Sequence, residues 1–331
     1  MIASGELVRH GPGMNRRDFV GGSVALAGLA AVPEALAAAT VTRTMRIALV
    51  PGSVGVVVTS QGELNTLAHR HRFEAVEPRV EELAGMAAGQ AAEVKSDLAA
   101  KGLSWAAAGL AVDFRKDDAA FRDGLAKLPA LAAGLQRAGV QRVGTWLSPS
   151  HKELTYRANF AQHVTRLRAV ARVLADHGLR LGLEYVGTQH ALVGGRYPFV
   201  HTLAEARELI ADIAVPSVGL VLDSWHWWTA GDTVADLLAL KNADVVSADL
   251  NDAPVGIAKA QQKDGERELP LATGVIDVAA YLNALAAIGY DGPIRPEPFN
   301  KVLNALENDP ACAACSTAMH RAMGLIKGVR E

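Results

Sequence analysis

Carboxylates recur in this sequence at the ends of short apolar runs. Glu77 closes 73–77, Glu184 closes Leu-Gly-Leu-Glu and Asp223 closes Gly-Leu-Val-Leu-Asp. Asp249 closes Val-Val-Ser-Ala-Asp, with Asp252 three residues on, and Glu297 closes Ile-Arg-Pro-Glu. One acid after an apolar strand is ordinary, because it caps the helix that follows. Acids ending four consecutive runs, at 184, 223, 249 and 297, need another explanation. Carboxylates brought to one place repel one another and resist ionising together. A divalent cation removes that conflict. A ligand set of oxygens alone favours a hard ion, Mn2+ or Mg2+. Glu184, Asp223, Asp249 and Glu297 are therefore the expected metal ligands.

The elements that must bring these acids together alternate in type. Apolar runs at 45–50, 73–77, 105–109, 142–146, 179–184, 218–223, 244–249 and 293–297 read as eight strands. Between them, 79–102, 118–138, 156–177, 203–213 and 278–288 carry helical spacing, rich in Ala and Leu. Gly102, Gly139, Gly178 and Gly289 stand where helices would stop. Strand–helix alternation predicts a parallel sheet covered by helices, and eight units predict a (β/α)8 barrel, an α/β fold. A doubly wound open sheet is the runner-up. It wants a glycine-rich phosphate loop, for which Pro51-Gly52-Ser53-Val54-Gly55 is a poor match. In a barrel the C-terminal strand ends converge on one face, which is where the acids fall.

Composition bounds the rest. The chain has 331 residues, half of them hydrophobic and 21% charged, which excludes a disordered protein. Its net charge is −2, so nucleic acid is not an expected partner. Two cysteines, Cys312 and Cys315, cannot form a disulfide framework. They read as small residues on a C-terminal helix. Residues 1–39 read as a leader. Met14-Asn15-Arg16-Arg17-Asp18-Phe19-Val20 precedes a Gly- and Ala-rich apolar stretch, then Pro33 and small residues at Ala35, Ala37 and Ala39. This resembles a twin-arginine export signal, with Met14 an alternative start. It implies passage through the twin-arginine translocase and a periplasmic location. Residues 40–331 then form one barrel domain.

The segments Gly-Leu-Glu184-Tyr, Leu-Asp223-Ser-Trp-His226, Asp249-Leu-Asn-Asp252-Ala-Pro and Gly-Tyr-Asp-Gly-Pro-Ile-Arg-Pro-Glu297-Pro-Phe resemble the xylose isomerase-like TIM-barrel superfamily. The subgroup they resemble is that of sugar phosphate isomerases and epimerases. The resemblance implies a metal held by Glu184, Asp223 and Glu297. The family's histidine ligand falls on Asp249, a departure that adds a fourth carboxylate. It implies that His226 stands beside the metal and acts on substrate. Glu184 and Glu297 become an acid/base pair moving a proton next to a carbonyl. Arg267 matches a loop that relatives place near substrate. Glu77, Trp146, His190 and Asp252 are further substrate candidates, at or just after strand ends.

The expected activity is sugar isomerisation or epimerisation on a small carbohydrate. A keto-sugar lyase or dehydratase, deglycosidase-like, would use the same site. A non-catalytic carbohydrate-binding barrel is the third reading, prompted by the missing histidine. No phosphate-binding motif is present, so the subgroup's name does not identify the substrate. Relatives also imply a homo-oligomer.

Overall fold

The computed structural model describes residues 43–327. The leader read at 1–39 lies outside the described residues. In chain order the elements are β1 (Arg46–Leu49), α1 (Gln61–Arg70), β2 (Ala75–Val76), α2 (Val80–Gly85), α3 (Ala88–Ala100), β3 (Ser104–Trp105), β4 (Ala108–Gly109), α4 (Asp118–Ala138), β5 (Arg142–Trp146), β6 (Ser150–His151), α5 (Tyr156–Asp176), β7 (Arg180–Glu184), α6 (Gln189–Leu192), β8 (Tyr197–Pro198) and α7 (Leu203–Ile213). There follow β9 (Val218–Asp223), α8 (Ser224–Ala230), α9 (Val234–Leu238), β10 (Val245–Leu250), α10 (Val278–Ala287), β11 (Pro293–Pro296), α11 (Lys301–Asn304) and α12 (Asn308–Met323).

Nine strands form one parallel sheet in the order β3-β2-β1-β11-β10-β9-β7-β5-β4. Its two outer members, β3 and β4, are one stretch of chain interrupted only by Ala106 and Ala107. β3 pairs with β2 and β4 with β5, so the third predicted strand closes the sheet into a TIM barrel. The reading of eight strands and a barrel therefore holds, with the third strand kinked into two.

Strand and helix limits follow from local chemistry. All six residues of β9 and all six of β10 are buried, as expected of parallel strands covered on both faces. Asp117 accepts the N–H groups of Ala119 and Ala120 and starts α4; Gly139, at φ 83°, ends it where a side chain would be strained. The predicted helix at 79–102 is two helices, parted at Met86 and Ala87. α1 was not expected. Its apolar spacing is weak, and it rests on a Ser60 cap and a buried Gln61 that bonds Asn65 and the Arg79 amide. Both cysteines are free and buried on α12, and burial pushes each thiol up to about 12. Among the described residues, no helix is long and apolar enough to cross a membrane.

Two features hold the loops at the C-terminal strand ends. β6 and β8 pair antiparallel, tying the loop after β5 to the loop after β7. Asp252 fastens the segment before α10. Its carboxylate accepts the backbone N–H groups of Ala253, Thr273, Gly274, Val275 and Ile276. Its own backbone exchanges hydrogen bonds with Glu268 at 2.9 Å in both directions. Asp252→Ala should strand these donors and cost about 3 kcal/mol or more in a urea unfolding titration. A loss under about 1 kcal/mol would contradict this anchoring role.

Candidate metal centre

β9, β10 and β11 lie side by side, and their register sets the heart of the site. Asp223 is the partner of Asp249, and Asp249 is the partner of Arg295. These three side chains therefore share one inward-facing layer. Glu184 ends β7 beside Trp146 of β5, and Glu297 follows β11. Glu184, Asp223, Asp249 and Glu297 each offer an oxygen, all within 4.8 Å of one another, and all four residues are buried. The strand-end acids of the sequence do converge.

Asp223 serves two purposes with two oxygens. Its Oδ1 accepts the Trp225 N–H at 2.7 Å and caps α8. The same oxygen accepts from Asn251 Nδ2 at 2.9 Å, while Oδ2 accepts from Arg267 Nη1 at 2.6 Å. Capping and charge clustering are thus both true of one residue. Asn251 latches three strand ends: its Oδ1 also accepts the Glu297 N–H at 2.9 Å, and its own N–H donates to Ser224 Oγ at 2.8 Å.

Two arginines stand among the acids. Arg267, 1% exposed at its side chain, reaches Asp223 Oδ2, Glu297 Oε2 at 3.1 Å and Asp264 Oδ1 at 2.5 Å. Burial works against its charged form, yet Asp223, Glu297 and Asp264 together raise its pKa. Arg295 grips both oxygens of Asp249 and reaches Glu297 Oε1 at 2.8 Å. It too is raised against the effect of burial, by Asp249 and Glu297. Four clustered carboxylates against two guanidiniums leave two negative charges uncompensated within the cluster.

Burial and crowding push three of the four acids toward their protonated forms. Burial, then the neighbouring Glu297, Asp249 and Asp223, raise Glu184 well above the ordinary carboxylate range. Burial also raises Glu297, against the pull of Arg295 and Arg267. It pushes Asp249 up to about 7 despite Arg295. Burial lowers His226 to about 4, so its ring is neutral near pH 7. Both ring nitrogens of His226 face donors, the Gly187 N–H at Nδ1 (3.3 Å) and Arg267 Nη2 at Nε2 (3.2 Å), and Nε2 lies 3.7 Å from Glu184 Oε1. Gly187 must be glycine here: a Cβ would lie 2.5 Å from the His226 carbonyl oxygen.

A divalent cation fits this donor set. Glu184 Oε1 is buried with no hydrogen-bond partner among the described residues, a costly state for a carboxylate oxygen. The surplus of two negative charges equals the charge of one such ion, and the oxygen ligands suit a hard one.

Above the cluster lies a cavity of about 210 Å³ lined by Glu77, Trp146, Glu184, Arg295 and Glu297. Its remaining walls are mostly small, including Ala48, Ala106, Ala107, Gly109 and Gly144. Burial raises Glu77 as well. Trp146 is 47% exposed, with the Arg115 guanidinium 4.3 Å from its ring centre. The other expected substrate residues are placed differently. His190 is exposed on α6. Asp252 is fully buried, and the loop 273–276 engages both of its oxygens, so it anchors a loop instead of facing a substrate. Arg267, in the segment between β10 and α10, stands against Asp223, Glu297 and His226 as a counter-charge. Arg295, Asn251 and Asp264 were not singled out from sequence. Strand alternation gives one signal for Asn251, because it shares the inward face of Asp249.

The profile of the xylose isomerase-like TIM-barrel family matches residues 66–315. The chain belongs to that family. Inosose isomerase of Bacillus subtilis (strain 168) is 30% identical over 139 residues, 40% of this chain and 45% of that protein. The 3-dehydroshikimate dehydratase of Pseudomonas aeruginosa is 29% identical over 134 residues, 40% of this chain and 20% of its own length. These matches span less than half of each curated relative. A xylose isomerase domain protein from Alicyclobacillus acidocaldarius has a solved structure that superposes with a TM-score of 0.74 at 31% identity, covering 85% of this chain and 99% of that one.

The raised carboxylates give cation uptake a defined pH dependence. Protons held by Glu184 and Glu297 must leave when a cation takes their oxygens. Mn2+ affinity should therefore rise as pH climbs from 6 to 8.5, above the range where ordinary carboxylates are already ionised, because burial raises both Glu184 and Glu297. Calorimetry in buffers of different ionisation enthalpy should show proton release at pH 6 and little at pH 8.5. Affinity that is flat across this window would contradict the assigned protonation.

Proposed function

We propose that this protein is a divalent-metal-dependent carbohydrate isomerase or epimerase, with Glu184 and Glu297 as its acid/base pair. The observation that carries this reading is the convergence of Glu184, Asp223 and Glu297 around the unpartnered Glu184 Oε1. The similarity to an inosose isomerase supports a cyclic keto-polyol or keto-sugar as substrate. Glu184, Asp223 and Glu297 would hold Mn2+ or Mg2+. When bound, the ion polarises a substrate carbonyl and the neighbouring hydroxyl, acidifying the C–H between them.

The chain's own residues supply the proton transfers. Glu184, raised by burial, would take a carbon-bound proton on Oε2, the oxygen left over when Oε1 holds the ion. Glu297 is fixed through Oε1 by Arg295 and through Oε2 by Arg267, so it presents a set geometry to the same substrate. Neutral His226 stands beside Glu184 and links it to the Arg267 guanidinium, its Nε2 lying 3.2 Å from Arg267 Nη2 and 3.7 Å from Glu184 Oε1. Trp146 offers an apolar face at the cavity rim, against which a sugar ring can stack. The cavity suits one sugar-sized ring and lies below the usual volume of a drug-sized ligand pocket. We further infer that export delivers the protein to the periplasm, where an unphosphorylated carbohydrate is the natural substrate.

Elimination is the second reading, favoured by the nearly equal similarity to a dehydratase. A carbanion formed next to the carbonyl can expel an adjacent hydroxyl or aglycone instead of regaining a proton. Incubation with an inosose and with 3-keto sugars in D2O separates the two. The isomerase reading expects metal-dependent deuterium at a sugar carbon with no loss of water or aglycone. Release of either group makes the protein a lyase. Glu297→Gln should lower the exchange rate by about 10²–10⁴-fold. Undiminished exchange in that variant would remove Glu297 from the mechanism.

A further inference from the structure

The two arginines of the cluster are bound in different ways. Arg267 is shared among Asp223, Glu297 and Asp264, the last 36% exposed, so it has an outer partner when another cation competes for the inner ones. Arg295 is committed. Its Nε takes one oxygen of Asp249 and its Nη2 takes the other, across directly paired positions of β10 and β11. Asp249 is fully buried, and Arg295 has no partner outside Asp249 and Glu297 among the described residues. For Asp249 to ligate a cation, this two-point pair must open. A guanidinium, at the cavity wall and only 22% exposed, would then face a divalent ion without its carboxylate partner. Removing one partner of a buried pair is far more costly than keeping the pair closed.

On the reading that the cluster holds a divalent cation, we propose that Asp249 is not a ligand. Asp249 and Arg295 form one neutral unit, and the ion is held by Glu184, Asp223 and Glu297 alone. Arg295 also reaches Glu297 Oε1, but Arg267 holds Glu297 Oε2 independently of the Asp249–Arg295 pair. The acid that stands where the family resemblance expects histidine thus carries its own counter-charge. Three carboxylates and Arg267 still leave two negative charges for the ion.

Mn2+ titration calorimetry of the metal-free protein tests this through a double-mutant cycle. Asp223→Asn, which removes a ligand, should weaken binding by about 100-fold or more. Asp249→Asn leaves Arg295 unpaired beside Glu297 and should weaken it by about 10-fold. Asp249→Asn combined with Arg295→Met replaces a neutral pair by a neutral pair. It should return the affinity to within about threefold of the unmodified protein, a strong non-additivity. Should the single variant fail to fold, the double variant alone decides. A double variant as weak as Asp223→Asn overturns the inference and makes Asp249 a ligand. Unmodified protein that takes up no Mn2+ overturns the metal reading itself, and the inference with it.

Discussion

Like charges forced together out of water must be neutralised, and that constraint governs this molecule. Four carboxylates lie within 4.8 Å of one another in a closed barrel end. At such separations in a low-dielectric site their mutual repulsion exceeds what solvent can screen. Three remedies are visible. Two arginines enter the cluster, Glu184 and Glu297 are pushed toward their protonated forms, and one carboxylate oxygen is left open where a cation would sit. Even the loop scaffold serves this purpose. Asp252 ties down the segment before α10 and pairs by its backbone with Glu268, which holds neighbouring Arg267 against the acids.

The barrel makes the cluster possible because parallel strands end together. Register across β9, β10 and β11 places Asp223, Asp249 and Arg295 in one layer, and Asn251 locks the strand ends to one another. Space above the layer comes from what the strands omit. Ala48, Ala106, Ala107 and Gly144 line the cavity where branched side chains would fill the centre of such a barrel. The Ala-rich, aromatic-poor composition is thus part of how the site stays open. One aromatic kept at the rim, Trp146, gives the opening an apolar face.

Much of this was legible from residue order. The limits of β5, β9, α4 and α7 follow from apolar spacing bounded by caps and glycines, because those signals are local. The convergence of the acids was legible too, since barrel topology alone brings strand ends together. The counter-charges were not. Arg267 reaches Asp223 across 44 residues, and Arg295 reaches Asp249 across 46. Only the register of paired strands reveals that second partnership. Asp252 stands in the same motif as Asp249, but both of its oxygens are taken up by the loop at 273–276. Alternation along β10 turns positions 249 and 251 toward the centre and sends 252 into the loops. α1 escaped notice because a polar latch, not an apolar stripe, fastens its start.

The central claim is that the acids of this barrel end are arranged around one divalent cation. Diffraction from crystals soaked in Mn2+, with anomalous differences recorded, tests it most directly. The account predicts a single strong peak within coordination distance of Glu184 Oε1, touching Asp223 and Glu297. A cluster that stays free of anomalous density while Mn2+ binds elsewhere would contradict it.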